Sequence, residues 1–556
     1  MSGICGVTSK MISTDERIRL VYRMVFCMNH RGPDNSESWS NEFISLGHNR
    51  LSIIDLSSNA NQPMHKGEWV ITYDGVIYNY MEIRSELEYK HNLQFITNSD
   101  AEVILAAWDT WGEKAINKFR GMWAFSIYNK TSHDLYLCRD RFGIKPLYYY
   151  ELNGHFLFAS EIKAILEDKN VARRVKLTTL ADFLMGFHDH SKETFFENIY
   201  QIEPGCYIHF NLMDGSKKHF RYYDLDKATE GKTSTIEELS DCIKETIYAH
   251  LRSDVPIGTC LSGGLDSSTI ATIAGQYMNN YYSRQLHAIT AQSEDPVNDE
   301  STYAREVVDN SNLIWYLTKP SADNFLMNWG NCLWHQDEPV GGPSILMQYY
   351  VMKTAHQKGL KVMLDGQGGD EALLGYERYY GTFLLEIIKR GEMFNFGIQF
   401  IKAIEKSKLN ALQMFQYLIY FTAKWLRVLV NKSKWNLIPP TLLDHGLNTL
   451  RESCNTYKSI RSLQIAEITK YQLPHLLRYE DRNSMAWSIE ARVPFVDHKI
   501  IEMAVSLQPN DKIQNGYTKY ALRKIMDKKM PDNITWRRNK IGFEVSPPVK
   551  TIFKKK

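Results

Sequence analysis

Apolar and polar residues alternate in short runs over the first 210 or so positions. The stretches 43–56 (FISLGHNRLSIIDL), 68–80 (EWVITYDGVIYNY), 123–129, 134–140, 147–152 and 156–162 each read as a β-strand bounded by turn residues. Helical spacing intervenes at 80–89 and 101–119. Strands in blocks with a few helices predict an α+β sandwich rather than alternating βαβ units. From 214 to 237 the chain turns polar, with GSKK and KATEGKTST, a linker composition. The rhythm then changes. Apolar runs at 257–261, 286–291 and 361–366 each lead through a loop into helical spacing. This predicts a doubly wound parallel sheet whose ligands sit at the carboxyl ends of the strands. From about 375 the pattern is mainly helical and aromatic-rich. The apolar runs with basic residues at 380–445 are expected to pack inside the second domain; a membrane-surface or partner-binding helix is the alternative.

The 556 residues exceed one ordinary domain, and the expected division is 1–213, a linker at 214–236, and 237–556. Lys and Arg total 66 against 64 Asp and Glu, so nothing global points to nucleic acid or an anionic membrane. The eight cysteines form no CxxC pair and no zinc spacing, as in a reduced cytoplasmic enzyme. The N-terminus lacks the basic start and apolar run of a signal peptide. Leu412 to Val430, the most apolar late stretch, is broken by Gln, Lys and Arg. It falls short of the roughly 18 apolar residues a membrane span needs.

Leu261 to Ser268 (LSGGLDSS) is the most informative segment. Gly263 and Gly264 let backbone N–H groups approach an anion at a helix start, and the serines add hydroxyl donors. Asp266 would repel a bare phosphate but suits a Mg²⁺ lying between carboxylate and phosphates. A second Gly-rich acidic turn, Asp365 to Glu371 (DGQGGDE), also follows a strand and supplies Asp370 as a second carboxylate. Two such turns at parallel strand ends suggest an ATP site.

At this point the chain resembles the class B, glutamine-type asparagine synthetase family. The resemblance rests on SGGLDSS and on RGPD (31–34), GHNRLSIIDL (47–56), QPM (62–64), YNY (78–80), RDRFGIKPLYY (139–149), ASEIKAIL (159–166), DEP (337–339), LPHLLRYEDRNSMAWSIEARVPFVDH (473–498), KYALR (519–523) and RRNKIGF (537–543). It implies an N-terminal nucleophile hydrolase-like glutaminase sandwich followed by an α/β ATP-pyrophosphatase (adenine nucleotide alpha hydrolase-like) domain, with an ammonia tunnel between them. It implies a reaction in which a carboxylate attacks ATP to give an acyl-adenylate, and an amine then displaces AMP. Leu261, Ser262, Gly263, Gly264, Asp266, Ser267, Gly368 and Gly369 would hold ATP and pyrophosphate, and Asp266 and Asp370 would hold Mg²⁺. Lys519 would neutralise charge at the α-phosphate, and Glu338 would take a proton from the attacking amine. Arg482 has no settled role. Partners would be a small-molecule carboxylate and an amine donor, in a cytoplasmic enzyme expected to be a homodimer through its N-terminal domain.

The chain departs from the family at several positions. Many aspartate-using relatives have SGEGADE or SGEGSDE where DGQGGDE stands at 365–371, which leaves the acceptor carboxylate open. Relatives begin Met-Cys-Gly-Ile and attack glutamine with that cysteine; here position 2 is Ser2, and Cys5, deeper in the strand, is expected only to pack. Relatives carry Asn-Gly-Glu where Asp74, Gly75 and Val76 stand. Asp74 puts negative charge where an oxyanion develops, and Val76 cannot bind the glutamine amine. Arg50 and Asp100 match the glutamine-holding positions. The expectation is an amide-forming ligase whose glutaminase is weak or absent. The alternatives are glutamine dependence through Ser2, an amidotransferase acting on a sugar carboxylate or natural-product acid, and a non-catalytic scaffold.

Overall fold

The computed structural model describes residues 2–186, 192–422, 439–453 and 457–538. Two six-stranded antiparallel sheets form the N-terminal sandwich. The first runs Ile199–Gln201, Tyr148–Leu152, His155–Ala159, Ser2–Ser9, Ser45–Arg50, Asn35–Ser40. The second runs Lys217–Arg221, Cys206–Asn211, Asp134–Arg139, Gly121–Asn129, Trp69–Ile77, Met64–Lys66. Ile4, Leu46, Val70, Ala124, Leu137 and Phe158 fill the space between the sheets. On one outer face, helix Thr14–Cys27 packs Val21, Met24 and Val25 against Cys5 and Val7. Helices Tyr80–His91 and Asp100–Trp111 cover the other. Strand residues here are apolar on both sides because each sheet is covered on both faces. Cys5 is fully buried in this packing, and burial pushes its thiol above the ordinary range, as suits a residue that only packs.

Two local expectations shift. The helical stretch 101–119 breaks at Gly112, whose φ of 59° stops the helix after Trp111. The polar stretch 214–236 is ordered. Its GSKK turn closes a hairpin between Cys206–Asn211 and Lys217–Arg221, so the last strand of the sandwich lies inside it. A short helix, Leu225–Thr229, follows, capped by Asp224. Thr235 and Glu238 then close a capping box that starts helix Ile236–His250.

The second domain is built on a five-stranded, all-parallel sheet in the order Ile314–Thr318, His287–Ala291, Ile257–Cys260, Val362–Leu364, Glu490–Arg492. Three of these strands match the sequence reading. The other two, Ile314–Thr318 and Glu490–Arg492, were not anticipated. Helices Tyr380–Lys389, Met393–Lys406 and Ala411–Thr422 bury Phe383, Leu384, Ile387, Ala403, Met414 and Leu418 in a core shared with Leu463 and Ile513. The expected internal packing therefore holds for these helices. The remainder of the 412–430 run lies outside the described residues. Among the described residues no helix is long and apolar enough to cross a membrane.

Candidate active sites

At the ligase end, strand Ile257–Cys260 runs into the loop 261–264 and then helix Leu265–Tyr282. Gly263 has φ 76°, and a Cβ there would lie 2.7 Å from the Ala304 nitrogen. Only glycine lets the turn pass that close. Ser262 Oγ and Ser267 Oγ lie 3.0 Å apart across the turn. The second loop follows strand Val362–Leu364. Gly368 takes φ 86°, and a Cβ on Gly369 would meet Asp266 Cγ at 2.7 Å, so missing side chains let the two loops touch.

Lys519 lies between those loops. Its ammonium pairs with Asp370 Oδ1 at 2.6 Å and also with Asp266 Oδ2. Lys519 is 4% exposed and has φ 51°. Gly375 makes room for it, since a Cβ there would be 2.1 Å from Lys519 Cε and 1.9 Å from Asp370 Oδ1. The fold thus joins Ser262, Gly263, Gly264, Asp266, Ser267, Gly368, Gly369, Asp370 and Lys519 into one cradle. Glu338 sits elsewhere. Its carboxylate accepts from the Phe195 backbone N–H at 2.9 Å and from Arg478 Nη1 at 2.7 Å. No hydrogen bond or ion pair joins it to Lys519 among the described residues. Glu338 and Arg482 line an interdomain cleft of about 610 Å³.

At the amidotransferase end, Ser2, Arg50, Gly75, Val76 and Asp100 line a cavity of about 410 Å³. Asp100 accepts from the Tyr73 hydroxyl at 2.8 Å and the Ile77 N–H at 3.0 Å, and burial holds its carboxyl above the usual range. Arg50 is spent on the loop beside it, donating to Ser57 O and Asn61 Oδ1, each at 2.7 Å. Asp74 accepts the Ser2 backbone N–H at 2.8 Å. Its other oxygen takes Arg31 Nη2 at 2.9 Å, with Lys145 Nζ 3.4 Å away.

Arg31 and Lys145 extend this arrangement into the ligase domain. Arg31 Nη1 also reaches Glu161 at 2.9 Å and Asp481 at 2.8 Å, and Lys145 pairs with Asp481. Arg482 continues it to Glu161 at 3.4 Å and Asp337 at 3.2 Å. Arg31, Lys145, Asp74 and Arg482 are essentially fully buried. Burial alone would raise the Asp481 carboxyl, but Arg31 and Lys145 hold it well below the usual range. All these residues fall within stretches already quoted from the sequence. Their role was hidden because the pairing partners lie up to 450 positions apart. Glu490 and Arg492, from the edge strand of the ligase sheet, also line the amidotransferase cavity and were not anticipated.

Comparison with known proteins agrees with this two-part arrangement. Residues 1–223 match the glutamine amidotransferase domain model, and residues 238–556 match the asparagine synthase model. Asparagine synthetase 1 (glutamine-hydrolysing) of Bacillus subtilis is 31% identical, over 98% of this chain and 87% of its own. The chain belongs to the asparagine synthase family. A putative glutamine-hydrolysing asparagine synthetase of Mycobacterium bovis is 28% identical, over 94% of this chain and 84% of its own. Amidase chry2 of Gibberella zeae is 28% identical, over 87% and 78%. As a member of the asparagine synthase family, the protein is an ATP-dependent carbon–nitrogen ligase with an N-terminal nucleophile-type amidotransferase domain ahead of the ligase domain.

Proposed function

We propose that this asparagine synthase-type ligase activates a small carboxylate, aspartate or a related acid, as an acyl-adenylate and joins it to ammonia or another amine taken from solution. Glutamine hydrolysis by its own amidotransferase domain is weak or absent in this reading. The observation that carries the ligase half is the placing of Lys519 against Asp266 and Asp370, between two glycine loops at the carboxyl ends of parallel strands. A lysine there takes up charge developing on an α-phosphate. Two carboxylates on one ammonium also form a donor set that suits Mg²⁺ shared with nucleotide phosphates. No cluster of three or more His, Cys, Asp or Glu could hold a metal alone among the described residues, so phosphate oxygens would complete the shell. Bound there, Mg²⁺ would neutralise phosphate charge.

The amidotransferase half reads differently. A free N-terminal amine acts as a base only if it can shed its proton. Asp74 accepts from the Ser2 nitrogen, so its carboxylate would hold an amine exposed there in the ammonium form. Asp74, fully buried and paired with Arg31 and Lys145, offers no neutral amide donor to an oxyanion, and Val76 lines the cavity with hydrocarbon.

Purified protein given ATP and Mg²⁺ would be screened across carboxylates for ATP–pyrophosphate exchange, beginning with aspartate. Mass spectrometry would then follow amide formation from glutamine and ammonium in parallel. Amide from ammonium, with little glutamate released from glutamine, supports the proposal. Steady glutamate release abolished by Ser2→Ala would overturn the glutaminase reading. Absence of exchange with every carboxylate would overturn the ligase reading.

A further inference from the structure

The ligase site borders on a pair of carboxylates that no cation balances. Asp365 opens the second glycine loop, and Glu480 projects from helix Leu473–Met485. Both carboxylates take the same amide nitrogen: Gln348 Nε2 lies 3.5 Å from Asp365 Oδ2 and donates to Glu480 Oε2. Asn483 fixes that amide by donating to Gln348 Oε1 at 2.9 Å. Glu480 is 3% exposed, and its remaining oxygen, Oε1, is buried without a hydrogen-bond partner. Asp365 is only half-buried, so the pair is reached from the loop side. The groups facing it are the Cys260 thiol, the Gln367 N–H and Asp481. Asp481 is already neutralised by Arg31 and Lys145. No Lys, Arg or His pairs with Asp365 or Glu480 among the described residues.

Two adjacent carboxylates, one buried and one half-buried, do not both stay ionised without a cation. Burial and Asp365 together hold the Glu480 carboxyl well above the usual range, and burial raises Asp365. The pair therefore shares a proton or takes a small cation. Position matters as much as charge. Gly366, the next residue, packs against the phosphate loop: a Cβ there would lie 2.9 Å from the Ser267 nitrogen.

We infer that Asp365 and Glu480 form an ammonium site, which binds NH₄⁺ beside the nucleotide cradle and takes its proton before the nitrogen attacks. The inference rests on the reading above, in which nitrogen comes from solution. At neutral pH that nitrogen is almost all ammonium, which has no lone pair. In the step, an N–H bond of ammonium breaks and an O–H bond forms on one of the two carboxylates, leaving the electron pair on nitrogen. That pair forms the C–N bond to the activated acyl carbon as the C–O bond to AMP breaks. The second proton leaves the new amide nitrogen for solvent, and the carboxylate returns its own proton to solvent. Gln348 holds the two carboxylates together and offers them an N–H donor of the kind ammonium brings.

Hydroxylamine separates this role from a structural one, because it is already uncharged at neutral pH and needs no deprotonation. The full chain and its Asp365→Ser and Glu480→Gln variants would be assayed with ATP, Mg²⁺ and the carboxylate that supports exchange. Ammonium chloride and hydroxylamine would be the two nitrogen donors. Both variants should lose about 10²-fold in ammonium-dependent kcat/KM, within the range of acid–base catalysis. Hydroxamate formation and ATP–pyrophosphate exchange should change less than about threefold, a small effect on that same scale. The ammonium defect should shrink as pH rises and free ammonia becomes abundant. A parallel fall with both donors, or no fall with ammonium, overturns the ammonium site while leaving the ligase reading intact. Absence of exchange with any carboxylate would instead remove the ligase reading, and this inference with it.

Discussion

The two sites use the same ingredients to opposite ends. At the ligase site, two carboxylates, Asp266 and Asp370, share one lysine, and Gly369 and Gly375 keep hydrocarbon out of the space around them. The trio carries net negative charge and can accept a cation with its phosphates. At the amidotransferase site, Asp74 meets Arg31 and Lys145, which go on to Asp481 and Glu161. In that network Asp74, Asp481 and Glu161 are each matched by a buried cation, while Asp100 in the cavity relies on Tyr73 and the Ile77 N–H. A site with charge left over can take a charged ligand, whereas the paired charges of the network tie the two domains together.

Breaking the matched network should give the largest effect. Arg31→Met leaves Asp74, Glu161 and Asp481 without a shared partner and should cost about 3–5 kcal/mol in urea denaturation, as for a severed buried ion pair. A loss well under that would mean that water already enters the interface. Removing the lysine that Asp266 and Asp370 share should remove chemistry. Lys519→Met should lower amide formation by about 10²–10³-fold, with pyrophosphate exchange read alongside. Undiminished exchange would move the lysine's work to the amine-transfer step.

Ser2→Cys with Asp74→Asn and Val76→Glu restores the family residues and should raise glutamate release from glutamine by about 10²-fold. No increase would show that the Arg31–Lys145 wiring, rather than the three side chains, silences the pocket. The smallest effect concerns the seam between domains, where Tyr78 stacks on His250 with ring centroids 3.7 Å apart. Burial depresses the His250 pKa to about 3, so the folded protein keeps the ring neutral while the unfolded chain protonates it from the ordinary value of 6.5 downward. Its contribution is intact above that value and is lost as pH falls toward the folded pKa. About 2 kcal/mol should disappear between pH 6.5 and 5, and His250→Gln should flatten that slope.

Much of this was legible in the chain. The alternating runs at 68–80 and 123–129 became neighbouring sandwich strands, and the glycine loops at 261–264 and 365–371 came together at the ends of parallel strands. Such features are local, because periodicity and glycine follow from a few neighbouring residues. The strand Glu490–Arg492 escaped notice because three residues carry no period, and only its pairing with Val362–Leu364 makes it a strand. The placing of Glu338 was equally hidden. Its DEP setting suggested a proton acceptor for the attacking amine, and the fold shows its carboxylate held by Arg478 and the backbone of Phe195.

The sequence by itself determined the two domains, the nucleotide loops and the departures at Ser2, Asp74 and Val76, since each depends on residue type and short spacing. Tertiary structure alone decided which charges meet. Asp74 and Asp481 lie far apart in the chain yet bind the same guanidinium, while Asp365 and Glu480 share an amide and no cation. Charge balance in a buried site depends on distance in space, to which spacing along the chain is no guide.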